Sequence, residues 1–248
     1  MPEVHAKVKL IRYTPAPEEL VAMAGKLCYS ASDLDDLSEG VAEKDQTKYL
    51  KRLAEMGHLS PVEHASFTFG IEGVSRSLLA QITRHRIASF SVQSQRYVAL
   101  GDDGNGFDYI MPPEIAALGE EEAAEYRREM EQIDRWYQTW RQKLGTGEKS
   151  NEDARFVLPN AAATRMLVTM NARELLHFIS LRCCNRAQWE IRAVAWQMLE
   201  QAYEAAPALF EKAGPGCACG ACPEGKKSCG RSAEVRERLE ALHRRNKK

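Results

Sequence analysis

Two short stretches alternate between apolar and polar residues, and each predicts a β-strand. The first covers residues 4–13 and is closed by Pro15. In the second, Phe67, Phe69 and Ile71 are separated by small or polar residues. Side chains on a strand point alternately to opposite faces, so each strand is expected to bury one face.

Most of the remaining chain has the apolar spacing of helices. The predicted helices cover residues 17–29, 46–56, 75–83, 120–144, 151–158, 171–183 and 186–210. Asp45 is expected to cap the second of them. Residues 60–63 read S-P-V-E, which predicts a capping box and a short helical turn. The glycine-rich residues 101–106 predict a loop, and residues 91–100 a loop or strand.

Aromatic residues mark the expected buried faces of the two longest helices. Ile133, Trp136 and Trp140 fall on one side of residues 120–144. In residues 186–210 aromatic side chains recur every seven positions, which predicts a second buried seam. Its members are Trp189, Trp196, Tyr203 and Phe210. Pro207 is expected to kink or end that helix.

The order of these elements favours an α+β fold, with a small, mostly antiparallel sheet packed against a helical layer. There is no internal repeat, no regular strand–helix alternation, no glycine fingerprint of a Rossmann unit and no Walker-type phosphate loop. The 248 residues, 44% of them hydrophobic, are enough for one large domain. A single domain is therefore expected over residues 1–213, followed by a charged, cysteine-containing tail over residues 214–248.

Neither a membrane span nor a signal peptide is visible, so a cytoplasmic protein without membrane contact is expected. The chain has seven cysteines, and their distribution favours reduced thiols over a disulfide framework. Four of them, Cys217, Cys219, Cys222 and Cys229, crowd into the tail. Zinc bound by these four thiolates and a reduced loop without metal both fit this pattern.

Two segments are rich in arginine and poor in acids. Residues 73–101 contain no Asp, Glu or Lys but four arginines, which are Arg76, Arg84, Arg86 and Arg96. Residues 154–189 contain only Glu174 as an acid against five arginines, which are Arg155, Arg165, Arg173, Arg182 and Arg186. The formal net charge is only −1. Counter-ions from outside the chain, or acids from elsewhere in the fold, could neutralise these arginines.

The arginines favour a phosphate-bearing small molecule over nucleic acid. Lysine-rich blocks are absent and the whole chain is slightly acidic, which argues against a large electrostatic surface for DNA or RNA.

One motif makes this chemistry more specific. Arg84-His85-Arg86 is followed after seven residues by Ser94, and this R-H-R-x7-S pattern resembles the signature of flavin-dependent thymidylate synthases. Four other segments agree in order and spacing: residues 57–64 (G-H-x-S-P-x-E-H), 154–159 (A-R-F-V-L-P), 171–173 (N-A-R) and 181–191 (L-R-x4-A-Q-W-E-I). The resemblance runs from about residue 8 to residue 210.

The resemblance implies a reaction and an assembly. NADPH reduces bound FAD, a methylene group passes from 5,10-methylenetetrahydrofolate to dUMP, and reduced flavin supplies the hydride. The products are dTMP and tetrahydrofolate. The family is homotetrameric, with active sites shared between subunits.

The resemblance also implies roles for individual residues. Arg182 matches the catalytic arginine at N3 of the pyrimidine, where a guanidinium stabilises developing negative charge without exchanging its proton. The implied dUMP-binding residues are Gln81, Ile82, Thr83, Arg84, Val92, Gln93, Ser94, Gln95, Arg96, Arg155 and Arg182. The implied FAD-binding residues are His58, Ser60, Arg84, His85, Arg86, Val92, Asn171, Ala172, Arg173 and His177.

Several alternatives stay open at this point. Ser94 is expected to contact ligand rather than attack it, because serine is a weak nucleophile without an adjacent base. A thiolate of Cys183 or Cys184 beside Arg182 is a second possible nucleophile. The competing classes are a nucleic-acid-binding protein with a zinc knuckle and a different flavin or folate enzyme.

Overall fold

The computed structural model describes residues 1–102, 104–145 and 147–245. The chain forms one antiparallel four-stranded sheet in the order β1-β2-β4-β3. Its strands are β1 (Lys7–Tyr13), β2 (Ser66–Ser75), β3 (Ala88–Val92) and β4 (Ala163–Asn171). Helices make up most of the remaining described residues, so the predicted α+β class with a small antiparallel sheet is confirmed.

Eleven α-helices lie in the described part of the chain. They are α1 (Pro17–Leu27), α2 (Leu34–Ala42), α3 (Thr47–Glu55), α4 (Arg76–Ile82), α5 (Pro113–Leu118), α6 (Glu120–Leu144), α7 (Glu148–Ala154), α8 (Ala172–Arg182), α9 (Trp189–Ala205), α10 (Pro207–Phe210) and α11 (Ser232–Arg245). Short 3-10 turns cover Pro61–His64, Arg155–Val157 and Gly225–Lys227. None of the helices in the described residues combines the length and apolar composition needed to cross a membrane.

The chain divides into two compact units, and four of the five boundaries between them fall inside strands. The first unit comprises Met1–Lys7, Ile71–Arg84 and Phe90–Leu167. Its core contains Phe107, Tyr109 and Met130. The second unit comprises Val8–Gly70, His85–Ser89 and Val168–Lys248. Its largest buried side chains are Phe67, Phe69, Phe178, Trp196 and Phe210.

Two strands run directly into capped helices, and these junctions place the motif residues. The hydroxyl of Ser75 accepts a hydrogen bond from the backbone N–H of Leu78 at 3.0 Å, which starts α4 at the end of β2. The side chain of Asn171 accepts from the N–H of Glu174 at 2.9 Å, which starts α8 at the end of β4. The R-H-R motif follows α4, and α8 ends at Arg182.

Several expected elements are confirmed at their predicted positions. Helix α6 has the predicted bounds of residues 120–144. A break before Pro207 separates α9 from α10, as the proline requires. The carboxylate of Asp45 accepts from the N–H of Thr47 at 2.9 Å, although the N-cap position of α3 is Gln46, whose side chain makes no cap hydrogen bond. The loop expected for residues 101–106 is observed at its described positions, while Asp103 lies outside the described residues.

Other expectations were wrong. Strand β4 was missed, although its burial alternates as a strand's should. Residues 60–63 form no capping box, because the side chain of Ser60 makes no cap hydrogen bond, although the short helical turn expected there is present as the 3-10 turn Pro61–His64. Trp136 and Trp140 are 52% and 46% exposed, since α6 turns Met130 and Tyr137 inward instead.

Candidate active site

The two units divide the predicted ligand-binding residues between them. In the first unit lie residues 81–84 at the end of α4, residues 92–96 after β3, and Arg155 at the 3-10 turn after α7. In the second unit lie His58, Ser60, His85, Arg86, Asn171, Ala172, Arg173, His177 and Arg182. Every predicted dUMP residue except Arg182 is therefore in the first unit.

In the first unit, Arg96 is paired with two carboxylates. It forms an ion pair with Glu148, and its Nε lies 3.4 Å from Oε2 of Glu152. Its carbonyl accepts a hydrogen bond from the side chain of Asn151 at 3.2 Å. All three charged side chains are between 43% and 45% exposed. Such pairs are weak in water, so an incoming anion can replace the carboxylates.

Gln95 has a buried amide nitrogen without a partner. The residue is 9% exposed, and its Nε2 makes no hydrogen bond with the described residues. A buried amide group without a partner costs about 1–3 kcal/mol. This orphaned donor directly follows Ser94, the last residue of the R-H-R-x7-S motif, and could donate to a ligand oxygen.

Arg155 donates from Nε to the carbonyl of Glu152 at 3.1 Å. Burial lowers the pKa of Arg76, and the charge of Arg155 acts in the same direction. Two cations held near each other in the first unit favour an anion.

In the second unit, a buried network joins residues of two separate motifs. Nδ1 of His85 lies 3.0 Å from Oε1 of Glu174, and Nε of Arg182 donates to Nε2 of His85 at 3.1 Å. His85 and Glu174 are 6% and 7% exposed. Burial lowers the pKa of His85 below its ordinary value of 6.5; the charge of Arg182 acts in the same direction, whereas the hydrogen bond to Glu174 opposes it.

The predicted flavin residues of the second unit offer mostly exposed donors. The side chains of His58, Ser60, Arg86, Arg173 and His177 are exposed. Guanidinium and imidazole N–H groups suit the phosphates and ring carbonyls of a flavin dinucleotide, so these residues fit FAD. The side-chain oxygen of Asn171 is already occupied in capping α8.

Of the two sources of counter-ions that the sequence left open, acids from elsewhere in the fold account for three of the arginines. Arg96, Arg173 and Arg186 form ion pairs, with Glu148, Glu63 and Glu224 respectively. Within the described residues, Arg84, Arg86, Arg155 and Arg165 form no ion pair with a carboxylate.

A cavity of about 480 Å³ opens beside Arg182 within the second unit. Ser180, Leu181 and Arg186 form part of one side of its lining. Pro215, Cys217, Cys222 and Glu224 of the tail also line it. Arg236 donates from Nε to the carbonyl of Cys217 at 3.1 Å and so holds this part of the tail.

The cysteines give no support to a thiolate or a metal centre. Cys183 is fully buried, and burial raises the pKa of its thiol, which disfavours a nucleophilic thiolate. Across residues 1–102, 104–145 and 147–245, no three His, Cys, Asp or Glu side chains are grouped so that they could hold a metal ion. The hypothesis of a zinc site at Cys217, Cys219, Cys222 and Cys229 therefore lacks structural support.

Sequence reasoning missed Glu174 as a site residue. It was noticed only as the single acid of an arginine-rich segment, yet it is the partner of His85. One signal was available in the sequence. Glu174 is a lone acid in the first turn of a predicted helix, and that helix ends near Arg182, the candidate catalytic arginine.

Comparison with known proteins identifies the class. Residues 9–208 match the family model described as "Thymidylate synthase complementing protein". A flavin-dependent thymidylate synthase of Geobacter sulfurreducens is 49% identical over 232 residues, covering 93% of this chain and 96% of that protein. One from Clostridium tetani is 46% identical, with the same two coverages.

The chain belongs to the flavin-dependent thymidylate synthase family and is an enzyme. This confirms the resemblance carried by the motifs and removes the nucleic-acid-binding protein as the competing class.

The fold is also found in a solved structure of low sequence identity. The crystal structure of a UMP/dUMP methylase, PolB from Streptomyces cacaoi, bound with 5-Br dUMP, superposes with a TM-score of 0.70. It shares 24% identity and covers 84% of this chain and 94% of that chain. At this identity the likeness shows the fold alone.

Proposed function

We propose that this enzyme methylates dUMP to dTMP, with 5,10-methylenetetrahydrofolate as the carbon donor. When bound, FAD reduced by NADPH supplies the hydride that completes the methyl group. The observation that carries the proposal is the contact of His85 with Arg182, because it joins the R-H-R and L-R motifs, 97 residues apart, in one buried network. The 5-Br dUMP held by the structural neighbour supports a pyrimidine mononucleotide as substrate.

The roles of the chain's residues follow from their chemistry. Arg182 stabilises the negative charge that develops at N3 and the flanking carbonyls of the pyrimidine. Arg84, Arg96 and Arg155 bind the phosphate, and the orphaned amide of Gln95 donates to a nucleotide oxygen. In the second unit, His58, Ser60, Arg86, Arg173 and His177 hold FAD.

The proposal includes a homotetramer with active sites shared between subunits, acting in the cytoplasm. Arginines without an ion pair within the described chain fit sites completed by a neighbouring subunit, and seven free thiols fit a reducing compartment. Size-exclusion chromatography with light scattering measures the assembly.

One experiment tests the reaction. Purified enzyme is incubated with FAD, NADPH, methylenetetrahydrofolate and either dUMP or UMP, and the nucleotides are separated and weighed by mass spectrometry. We expect a product 14 mass units heavier than dUMP and bleaching of the flavin by NADPH. If only UMP were methylated, UMP and not dUMP would be the substrate. A colourless protein that forms no product would refute the proposal.

A further inference from the structure

Both ring nitrogens of the buried histidine in the R-H-R motif are engaged. Nδ1 of His85 contacts Oε1 of Glu174 at 3.0 Å, and Nε2 receives a hydrogen bond from Nε of Arg182 at 3.1 Å. A guanidinium carries only donors, so Nε2 must be an acceptor and carries no proton. The ring proton of neutral His85 therefore sits on Nδ1 and is donated to Glu174, which fixes one tautomer.

Glu174 is held in place independently of His85. Its N–H is bonded to the side chain of Asn171 at 2.9 Å in the first turn of α8, where the helix dipole favours a carboxylate. Because Glu174 is only 7% exposed, its oxygen needs a donor, and the ring of His85 supplies one. The ring of Phe178 lies edge-on to His85 at 5.0 Å and limits its rotation.

This arrangement controls the orientation of Arg182. A guanidinium is planar, so a hydrogen bond at Nε restrains the plane in which its other donors lie. The negative charge of Glu174 polarises the imidazole and makes Nε2 a stronger acceptor. Without Glu174 the ring can adopt the other tautomer, with the proton on Nε2, which cannot accept a hydrogen bond from Arg182.

We propose that Glu174 and His85 are positioning residues that orient Arg182 toward the pyrimidine. His85 then acts through Arg182 and uses neither ring nitrogen to bind flavin. The inference rests on the proposed function of Arg182. It revises the role that the family resemblance implies for His85, whose side chain is 5% exposed.

The same geometry predicts an acid limit to activity. The titratable and charged groups facing His85 are Glu174, Arg182 and His177. Protonation at Nε2 would place an N–H opposite the guanidinium and remove the hydrogen bond that positions it. Turnover should therefore fall as His85 becomes protonated.

Paired variants separate positioning from a structural role. Glu174→Gln keeps an acceptor for Nδ1–H but removes the charge, and we expect kcat to fall about tenfold. Glu174→Leu removes the acceptor, and we expect a fall of about 100-fold. FAD absorbance per folded chain should stay constant, and KM for dUMP should change less than about threefold. Glu211→Gln, which alters an acid paired with Lys51, is the control.

Replacing His85 tests the acid limit. His85→Gln can place an amide oxygen near the position of Nε2, so it should retain part of the activity and lose the acid limb of the kcat profile. His85→Leu should lose both the activity and the acid limb of the kcat profile. A kcat for Glu174→Leu within twofold of the parent, or an unchanged acid limb in His85→Gln, would overturn the proposal.

A spectroscopic measurement does not depend on turnover. Long-range proton–nitrogen spectra of 15N-histidine-labelled protein report which ring nitrogen bears the proton. We expect His85 to carry it on Nδ1 in the parent and to lose this preference in Glu174→Leu. A proton on Nε2 in the parent would refute the network, whereas the expected tautomer in an enzyme that makes no dTMP would refute only the proposed function.

Discussion

The charged groups around Arg96 and around His85 differ in burial, although His85 belongs to the R-H-R-x7-S motif and Arg96 follows it by two residues. The side chains of Arg96, Glu148 and Glu152 are nearly half exposed, whereas those of His85 and Glu174 are 5% and 9% exposed. Exposed pairs contribute little and rearrange easily. A buried pair resists rearrangement, because losing one partner leaves the other unsatisfied. The exposed group is thus suited to exchange its carboxylates for phosphate, and the buried group to hold one geometry.

The largest expected effect comes from removing the arginine that the buried group orients. Arg182→Ala should lower kcat by at least about 100-fold, because the pyrimidine loses its cationic partner. Bound flavin should remain. Arg182→Lys should also be impaired, since an ammonium lacks the planar fork. Steady-state dTMP formation measures this, with Arg127→Ala, an exposed arginine paired with Glu120, as the control. Unchanged turnover would remove Arg182 from the mechanism.

Changes in the exposed group should act on binding instead. Arg96→Ala should raise KM for dUMP by about 10- to 100-fold, the value of a hydrogen bond to a charged group. Glu148→Gln removes a competitor for Arg96 and should lower that KM by no more than about fivefold. Initial rates over a range of dUMP concentrations separate KM from kcat. A higher KM in Glu148→Gln would mean that the carboxylate assists binding.

Stability should depend on pH through the buried group. The pKa of His85 is lowered from 6.5 in the folded chain, so between these values the unfolded chain binds more protons. The free energy of unfolding should therefore fall as pH drops below about 6.5 and level off below the folded pKa. Urea titrations from pH 7.5 to 5 measure this, and His85→Gln should show a shallower dependence. If the free energy of unfolding changed equally with pH in the parent and in His85→Gln, His85 would not be the group responsible.

The smallest effects are expected at the neighbouring thiols. Cys184→Ser should leave kcat within about twofold, because the mechanism uses no thiolate. Cys183→Ser places a hydroxyl in a buried site and should cost about 1–3 kcal/mol of stability with little effect on kcat. Turnover corrected for the folded fraction separates an effect on stability from an effect on kcat. A loss of kcat in folded Cys184→Ser would restore the thiol nucleophile.

The sequence predicted long amphipathic elements better than strands made of helix-forming residues. Helix α6 was located to the residue, because its polar face and flanking glycines define both ends. Strand β4 was missed because Ala163, Met166, Leu167 and Met170 favour helix, and its pairing with β2 and β3 depends on distant parts of the chain.

The candidate site was predictable as a set of residues but not as a network. The motifs indicated Arg182, His85 and Arg96 by resemblance. The partners of these residues could not be predicted, since the contact of His85 with Glu174 spans 89 positions and that of Arg96 with Glu148 spans two helices, α5 and α6. The exposure of Trp136 could not be predicted either, because helical periodicity shows which side chains share a face but not which face packs against the rest of the protein.

The cavity beside Arg182 has one wall outside the part of the chain that the family model spans. Residues 9–208 match that model, whereas Pro215, Cys217 and Cys222 come after it. An inhibitor that reached from the guanidinium of Arg182 to these cysteines could form a covalent bond with a thiol outside the segment that the family model spans.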